Sequence, residues 1–232
     1  FLNGKTKKVI KDLEKEREGL SKSLEFEKAK LIQKKIIAVK LVTSPFFKPL
    51  EYEENPNLAY DLRKKELLDL KQILKNNGVN LLKLEIIECF DISNFSGKEA
   101  VGSMIVFVNG EKETNRYRRF KIRKTDGRSN DTLMMSEVLE RRLNHSEWEF
   151  PDLIVVDGGK GQVSSASFVL KQNRILIPVI GLAKREETII TQKLSQISLP
   201  KDSKSLHLLM RIRDEAHRFA IAYHRKLRGN YF

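Results

Sequence analysis

The chain has 232 residues, of which 44 are Lys or Arg and 31 are Asp or Glu, so its formal net charge is +13. Hydrophobic residues make up 40% of the chain, which is enough to bury a core and excludes a wholly disordered protein. No stretch reaches the roughly 18 uninterrupted apolar residues that a membrane span needs, and the single Cys excludes an internal disulfide. We therefore expect a cytoplasmic protein with no membrane partner, whose excess positive charge favours a polyanion as ligand.

The first part of the chain predicts a small helical hairpin. Apolar residues recur at helical spacing across residues 6–41, and Gly19-Leu20-Ser21 is a plausible turn between two helices. A hairpin of this size is too small to be very stable alone, so we expect residues 1–42 to bind a partner protein. Residues 43–58 hold three of the chain's six prolines and are expected to form a linker.

The remaining residues, 59–232, predict an α/β domain. After a helix over 59–75, three strands with short connections are expected to pair antiparallel, at 84–92, at 102–108 and around Phe120. The chain then alternates between helices (130–142, 160–172 and 203–226) and strands (153–156 and 177–182), with 188–190 and 196–199 as a further hairpin. This order is that of a ribonuclease H-like mixed sheet with flanking helices, in which the first and fourth strands lie side by side.

Two carboxylates occur where apolar strands end. Asp91 interrupts one strand, and Asp157 follows a fully apolar strand and precedes two glycines. Two facing carboxylates repel each other unless a divalent cation lies between them, and Mg²⁺ or Mn²⁺ prefers such oxygen ligands. The plainer alternatives are that Asp91 faces water at a sheet edge and that Asp157 only begins a glycine turn.

The last predicted helix carries His217, which could complete such a site. A neutral imidazole can bind a metal or move a proton near neutral pH. The alternative is a histidine that packs at the edge of the core. The sequence leaves open whether His217 is a metal ligand or a proton-transfer group.

Basic residues concentrate on two predicted elements. The candidates for DNA binding are three residues of the third strand and three of the last helix, namely Arg118, Arg119, Lys121, Arg213, Arg218 and Arg225. Their mixture with aromatic residues suits a phosphate backbone better than base-edge recognition, although a solvated face would explain part of it.

Several ordered segments resemble a known family. They are Ile87–Asn94, Ser103–Phe107, Tyr117–Ile122, Pro151–Gln162 and Arg213–Ala220. Together they resemble the carboxy-terminal half of the UvrC family, the ABC-type excinucleases of bacterial nucleotide excision repair. The helical hairpin looks like the UVR module of the same family, with Leu24, Phe26 and Glu27 in its core motif.

The resemblance implies a ribonuclease H-like endonuclease that cuts damaged double-stranded DNA 5′ of a lesion with Mg²⁺ or Mn²⁺. The family's catalytic Asp-Asp-His set falls on Asp91, Asp157 and His217, and a fourth acid falls on Asp131. The family's motif lysine falls on Lys160, which could contact the DNA phosphate.

The resemblance also implies a protein partner. In the family, the UVR module binds the matching module of the helicase subunit, UvrB, so Leu24, Phe26 and Glu27 are expected at that interface. Two rival hypotheses remain. One is a non-catalytic adaptor that binds DNA and the helicase through a decayed nuclease domain, and the other is an endonuclease V-like repair enzyme on the same fold.

Overall fold

The computed structural model describes residues 6–23, 25–42, 58–95, 99–122, 131–183, 188–200 and 202–229. The chain divides into two compact units, Phe1–Leu58 and Ala59–Phe232. The predicted linker lies almost wholly outside the described residues. Within those residues, no helix has the length and apolar character that crossing a membrane requires.

The first unit is a pair of packed helices, α1 (Thr6–Lys22) and α2 (Phe26–Val42). Ile32 and Ile36 are buried, as the helical spacing predicts. The position of the predicted turn was wrong, because Gly19 lies inside α1 and the helix continues to Lys22. A single exposed glycine weakens a helix by only about 1 kcal/mol, and it does not end this one.

The second unit combines four helices and eight strands among the described residues. The helices are α3 (Leu58–Asn76), α4 (Asp131–Leu143), α5 (Lys160–Gln172) and α6 (Lys204–Gly229). The strands are β1 (Ile86–Phe95), β2 (Glu99–Val108), β3 (Glu111–Lys112), β4 (Arg118–Lys121), β5 (Leu153–Val156), β6 (Val179–Ala183), β7 (Thr188–Thr191) and β8 (Gln196–Ser198).

These strands form one mixed sheet in the order β3-β2-β1-β5-β6-β7-β8, and β4 also pairs with β2. The central pairs β1–β5 and β5–β6 are parallel, and the other pairs are antiparallel. The predicted ribonuclease H-like mixed sheet with flanking helices is confirmed, including the contact between the first strand and the strand that ends at Val156.

A short strand that was not predicted from the sequence follows β2. Asn109 and Gly110 have φ values of 51° and 80°, and Val108 pairs with Glu111, so these two residues close a tight hairpin. The partner strand β3 is only two charged residues long, and the sequence therefore offered no strand pattern there. The connection to the third predicted strand, β4, starts after β3.

Each face of the sheet buries its own core. One core contains Leu70 of α3 and Leu209 of α6, and the other contains Met135 of α4 and Val163 of α5. Asp69 of α3 also accepts hydrogen bonds from the backbone N and the Oγ of Ser205 at the start of α6. Successive side chains of a strand point to opposite faces of the sheet. We name these faces by the helices that cover them, the α3/α6 face and the α4/α5 face.

A buried ion pair joins the central strand to the α4/α5 face. Arg142 of α4 is 1% exposed, and its Nε and Nη2 donate to the carboxylate of Glu88 at 2.8–3.1 Å. Arg142 also donates to the backbone O of Glu149. Burial raises the pKa of Glu88, and the hydrogen bonds from Arg142 oppose that rise.

Replacing Arg142 with Met should destabilise the protein by about 3–5 kcal/mol, because Glu88 would remain buried without a counter-charge. Urea unfolding followed by circular dichroism measures this loss. The double variant Glu88→Leu/Arg142→Met removes both charges and should lose clearly less. Equal losses in the two variants would contradict an electrostatic role for the pair.

Candidate nuclease site

Asp91 and Asp157 lie side by side where the parallel pairing of β1 with β5 ends. β5 ends at Val156, whereas β1 continues to Phe95. Phe90 of β1 pairs with Val156 of β5, and the backbone N of Asp157 donates to the O of Phe90 at 2.9 Å. Both aspartates are buried, with exposed fractions of 4% and 5%. The alternative of an exposed Asp91 at a sheet edge is therefore wrong.

Both carboxylates belong to the α3/α6 face. Their neighbours two positions earlier, Cys89 and Val155, lie in the core of that face. Burial, reinforced by the negative charges of Asp157 and Asp91, raises the pKa of the Cys89 thiol well above its usual value. Both carboxylates thus lie close enough to act electrostatically on one buried group.

Two serines contact Asp91 and hold its position on the strand. The Oγ of Ser93 donates to the Oδ2 of Asp91 at 3.1 Å, and the buried Ser103 donates to its backbone O at 3.4 Å. Ser93 lies two residues along the same strand and therefore faces the same side of the sheet. Neither serine was among the residues predicted from sequence.

A cavity of about 300 Å³ beside Asp157 is lined by Arg213, Asp214 and His217 of α6. The structure therefore brings Asp157 and His217 to one cavity, while Asp91 lies on the neighbouring strand outside its lining. His217 is exposed and follows the fully buried Ala216. Across the described ranges, no group of three or more His, Cys, Asp or Glu side chains could hold a metal ion.

Asp214 is a cavity residue that was not predicted from sequence. It precedes His217 by three residues, and this helical spacing could have indicated a shared face.

Asp131 and Lys160 each occupy the first position of a helix, α4 and α5 respectively, and both are exposed. A Cβ built at Gly161 would lie 3.2 Å from the Cγ2 of Thr132, so these two helix starts are in contact. They meet where β5 ends. Asn130, where the predicted helix began, lies outside the described residues.

The basic residues of β4 divide between the two faces of the sheet. Ser103 pairs with Asp91 on one side and with Arg119 on the other, so Arg119 shares the face of the carboxylates. The Arg119 guanidinium carbon lies 4.0 Å from the ring centroid of Phe219 in α6. By the same alternation, Lys121 belongs to this face.

Arg118 lies on the opposite, α4/α5 face. It pairs with the core residue Met104, and its guanidinium carbon lies 4.8 Å from the ring centroid of Trp148. Its predicted DNA contact would therefore lie away from Asp91. The three strand cations predicted to bind DNA therefore lie on two different faces of the sheet, because strand residues alternate.

The predicted cations of α6 differ in their surroundings. Arg213 is half-buried at the cavity and lies 3.8 Å from Asp214. Arg218 is exposed and donates to Glu215 at 2.5–2.9 Å. The side chain of Arg225 lies outside the described part of the structure.

Glu215, also not predicted from sequence, fixes α6 against the strands. Its side chain is 2% exposed and accepts hydrogen bonds from Arg218, from Lys112 at 2.8 Å and from the hydroxyl of Tyr117 at 3.2 Å. The bond from Arg218 contributes most to lowering the pKa of Glu215 to about 2, with burial opposing it. These bonds hold the helix two residues before His217.

Two parallel central strands bring a pair of carboxylates together where their pairing ends, and a long last helix covers that face of the sheet. This arrangement defines the ribonuclease H-like class of α/β domains. A family model described as the UvrC RNase H endonuclease domain matches residues 77–221. That range is more than half of the chain, and the chain belongs to this family.

Two related proteins carry the name of this family. UvrABC system protein C of Chlorobium chlorochromatii is 53% identical over 148 residues, which are 62% of this chain and 23% of that protein. The Methanosarcina mazei protein of the same name is 45% identical over 186 residues, 71% of this chain and 35% of its own length. The chain thus spans about a quarter to a third of these relatives.

Among solved structures, endonuclease V of Ciona intestinalis in complex with a 24mer DNA containing an inosine is similar at 16% identity with a TM-score of 0.35. The match covers 72% of this chain and 69% of that one. Human endonuclease V is similar at 14% identity and the same TM-score, covering 62% and 63%.

Replacing Glu215 with Gln should lower the free energy of unfolding at pH 7 by about 1–3 kcal/mol, because the charged acceptor is lost. The lowered pKa means that the carboxylate stabilises the fold above its ordinary pKa and loses this effect as pH falls toward 2. The difference from wild type should therefore shrink by about half or more between pH 5 and pH 3 in urea titrations. Glu140→Gln on α4 is the control, and a pH-independent difference would contradict the assignment.

Replacing Gly181 with Ala should destabilise the region beside Asp157 by about 1–3 kcal/mol through overpacking. A Cβ at this position of β6 would lie 2.6 Å from the backbone O of Gly158 and 2.5 Å from Val163. Gly159→Ala is the matched control, because its Cβ would meet no atom within 4 Å. Thermal unfolding gives the melting temperature of each variant. Equal melting temperatures would show that the close approach of Gly181 to Gly158 and Val163 does not contribute to stability.

Proposed function

We propose that this chain hydrolyses phosphodiester bonds in DNA during nucleotide excision repair, cutting 5′ of a lesion together with a helicase subunit. The observation that carries the proposal is the buried pair Asp91 and Asp157 where the parallel pairing of β1 with β5 ends. α6 presents His217 at the cavity beside Asp157. Membership of the UvrC RNase H endonuclease family supports it.

The donor chemistry of the pair suits a hard divalent cation. Two buried carboxylates repel each other in a medium of low dielectric constant, and an ion with oxygen preference, Mg²⁺ or Mn²⁺, relieves that repulsion. Asp91 and Asp157 would hold the ion. His217 does not join them in a group of three ligands in the described structure, so it would be the proton-transfer group. When bound, such an ion polarises a phosphoryl oxygen and lowers the pKa of a water molecule.

The other side chains position these groups and the DNA. Ser93 orients the Oδ2 of Asp91 by its hydrogen bond. His217 is exposed at the cavity, where its ring can accept a proton from water or return one to the leaving oxygen. Arg213 brings positive charge to the same cavity, and Lys160 stands at the positive end of α5, a favourable place for a phosphate.

Cations on the carboxylate face would bind the phosphate backbone of damaged double-stranded DNA. Arg119 and Lys121 on β4 and Arg213 and Arg218 on α6 share this face or its rim. Arg225 lies further along the same helix. Arg118 would contact DNA only where the duplex reaches the opposite face.

The helical hairpin would bind the helicase subunit UvrB. Phe26 at the start of α2 is 62% exposed and Leu31 is 58% exposed, and Glu27 is exposed beside them. Exposed apolar side chains with a charged neighbour suit a protein interface. Leu24, the other residue implied by the family, lies outside the described residues.

Asp157→Asn should reduce metal-dependent nicking about 10³-fold, because loss of a ligand to the catalytic ion removes several kcal/mol of transition-state stabilisation. The assay uses a lesion-bearing duplex with the helicase subunit and Mg²⁺ or Mn²⁺. Asp202→Asn, which changes an exposed aspartate before α6, is the control and should nick like wild type.

The outcomes of this assay separate the two functions. If the wild type does not nick while it binds both DNA and the helicase subunit, the chain is the non-catalytic adaptor. The burial of both aspartates counts against that outcome, since a decayed site has no need to keep two carboxylates away from water.

A further inference from the structure

A second cleft opens at the opposite edge of the sheet from Asp157. Its volume is about 440 Å³, and we name it the amino-edge cleft. Its walls are formed by the residues that follow α3 (77–80), by residues of the last part of α5 and of the segment that leads to β6 (within 167–178) and by the β7–β8 turn (191–193). Neither the candidate nuclease site nor the family resemblance uses any of these residues.

Three cations from two separate segments surround this cleft, Lys171, Arg174 and Lys193. All three are exposed, and none forms an ion pair within the residues that the structure describes. The lining contains no Asp or Glu. The cleft therefore concentrates positive charge that the described protein does not neutralise.

The carboxyl ends of α3 and α5 carry partial negative charge, which cations stabilise. This effect alone could explain why cations lie near these ends. Here, however, backbone amides already cap these ends. The N of Val79 donates to the O of Leu74, and the N of Ile175 donates to the O of Leu170, both at 2.9 Å. The cationic side chains are not needed as caps and remain available to a ligand.

Arg174 is the left-handed residue of the cap that ends α5. Its φ is 55°, and the residue after it, Ile175, makes the capping hydrogen bond to Leu170. The cap thus places this cation among the residues that line the cleft.

Neutral hydrogen-bond donors complete the lining. Asn80 and Gln192 expose their amides at the cleft. The Oγ of Ser167 in the cleft wall has no hydrogen-bond partner in the described chain. Cations combined with amide and hydroxyl donors match phosphate oxygens, which accept from both kinds of donor.

We propose that the amino-edge cleft binds phosphates of the nucleic-acid backbone and is a second DNA contact of this protein. The proposal extends the proposed function, which supplies DNA as the ligand. β5 has four residues and spans about 13 Å, whereas one turn of duplex is about 34 Å long. A duplex held at the carboxylate edge is therefore long enough to reach the cleft.

The test is the salt dependence of DNA binding by the full chain. Fluorescence anisotropy with a labelled 40-bp duplex in EDTA, from 50 to 300 mM KCl, gives the slope of log K against log[KCl]. Each lost phosphate contact reduces the slope by about 0.9, so Lys171→Gln/Arg174→Asn/Lys193→Gln should reduce it by about 2–3. Asn is chosen at position 174 because it tolerates a positive φ.

The matched control is Lys11→Gln/Lys64→Gln/Lys65→Gln, which removes three exposed lysines elsewhere and should change the slope by less than about 1. Equal slopes in the wild type and the cleft variant would overturn the proposal. Polyglutamate that competes with DNA for the wild type, but not for the cleft variant, would overturn it in favour of an acidic peptide.

Competition also separates two sources of phosphate. Millimolar inorganic phosphate that abolishes the difference between wild type and cleft variant, at constant ionic strength, would assign the cleft to a free anion and overturn the DNA assignment. Since the binding assay contains EDTA, it is independent of the nicking assay. If the cleft variant has the same slope as the wild type and the wild type nicks DNA, only the cleft proposal is refuted. If the cleft variant has a reduced slope and the wild type does not nick DNA, only the catalytic proposal is refuted.

Discussion

The parallel pairing of β1 with β5 is the constraint on which the candidate site depends. The hydrogen bond from the N of Asp157 to the O of Phe90 sets the level at which the parallel pairing ends. Because the strands run in the same direction, each contributes the residue just beyond its apolar run to one edge. A shift of one residue would turn one carboxylate to the α4/α5 face and dismantle the pair.

Different interactions stabilise the two faces of the sheet. On the α4/α5 face, the buried pair Glu88 and Arg142 joins the central strand to a helix within an otherwise apolar core. On the α3/α6 face, polar groups concentrate around the carboxylates, and Glu215 anchors α6 through several charged donors. The polar network holds α6, which carries His217, in place. The core of the α4/α5 face keeps the sheet rigid.

Much of the fold could be predicted because its signals are local. Apolar runs ended by Asp91 and Asp157 identified both the strands and the paired acids. The strand β3 could not be predicted, since its two charged residues make no pattern. Alternation places Arg118 and Arg119 on opposite faces, but only the pairing of β4 with β2 shows which one joins Asp91. Glu215 and Gly181 depend on long-range contacts, which periodicity does not encode.

Cys89 lies directly beneath the two carboxylates and is the protein's only sulfhydryl. Because the residue is completely buried in β1, a reagent reaches it only when that strand separates from its neighbours. The rate at which Cys89 is alkylated under native conditions therefore measures how often the strand that carries Asp91 opens. An ion that binds and stabilises the site should lower this rate.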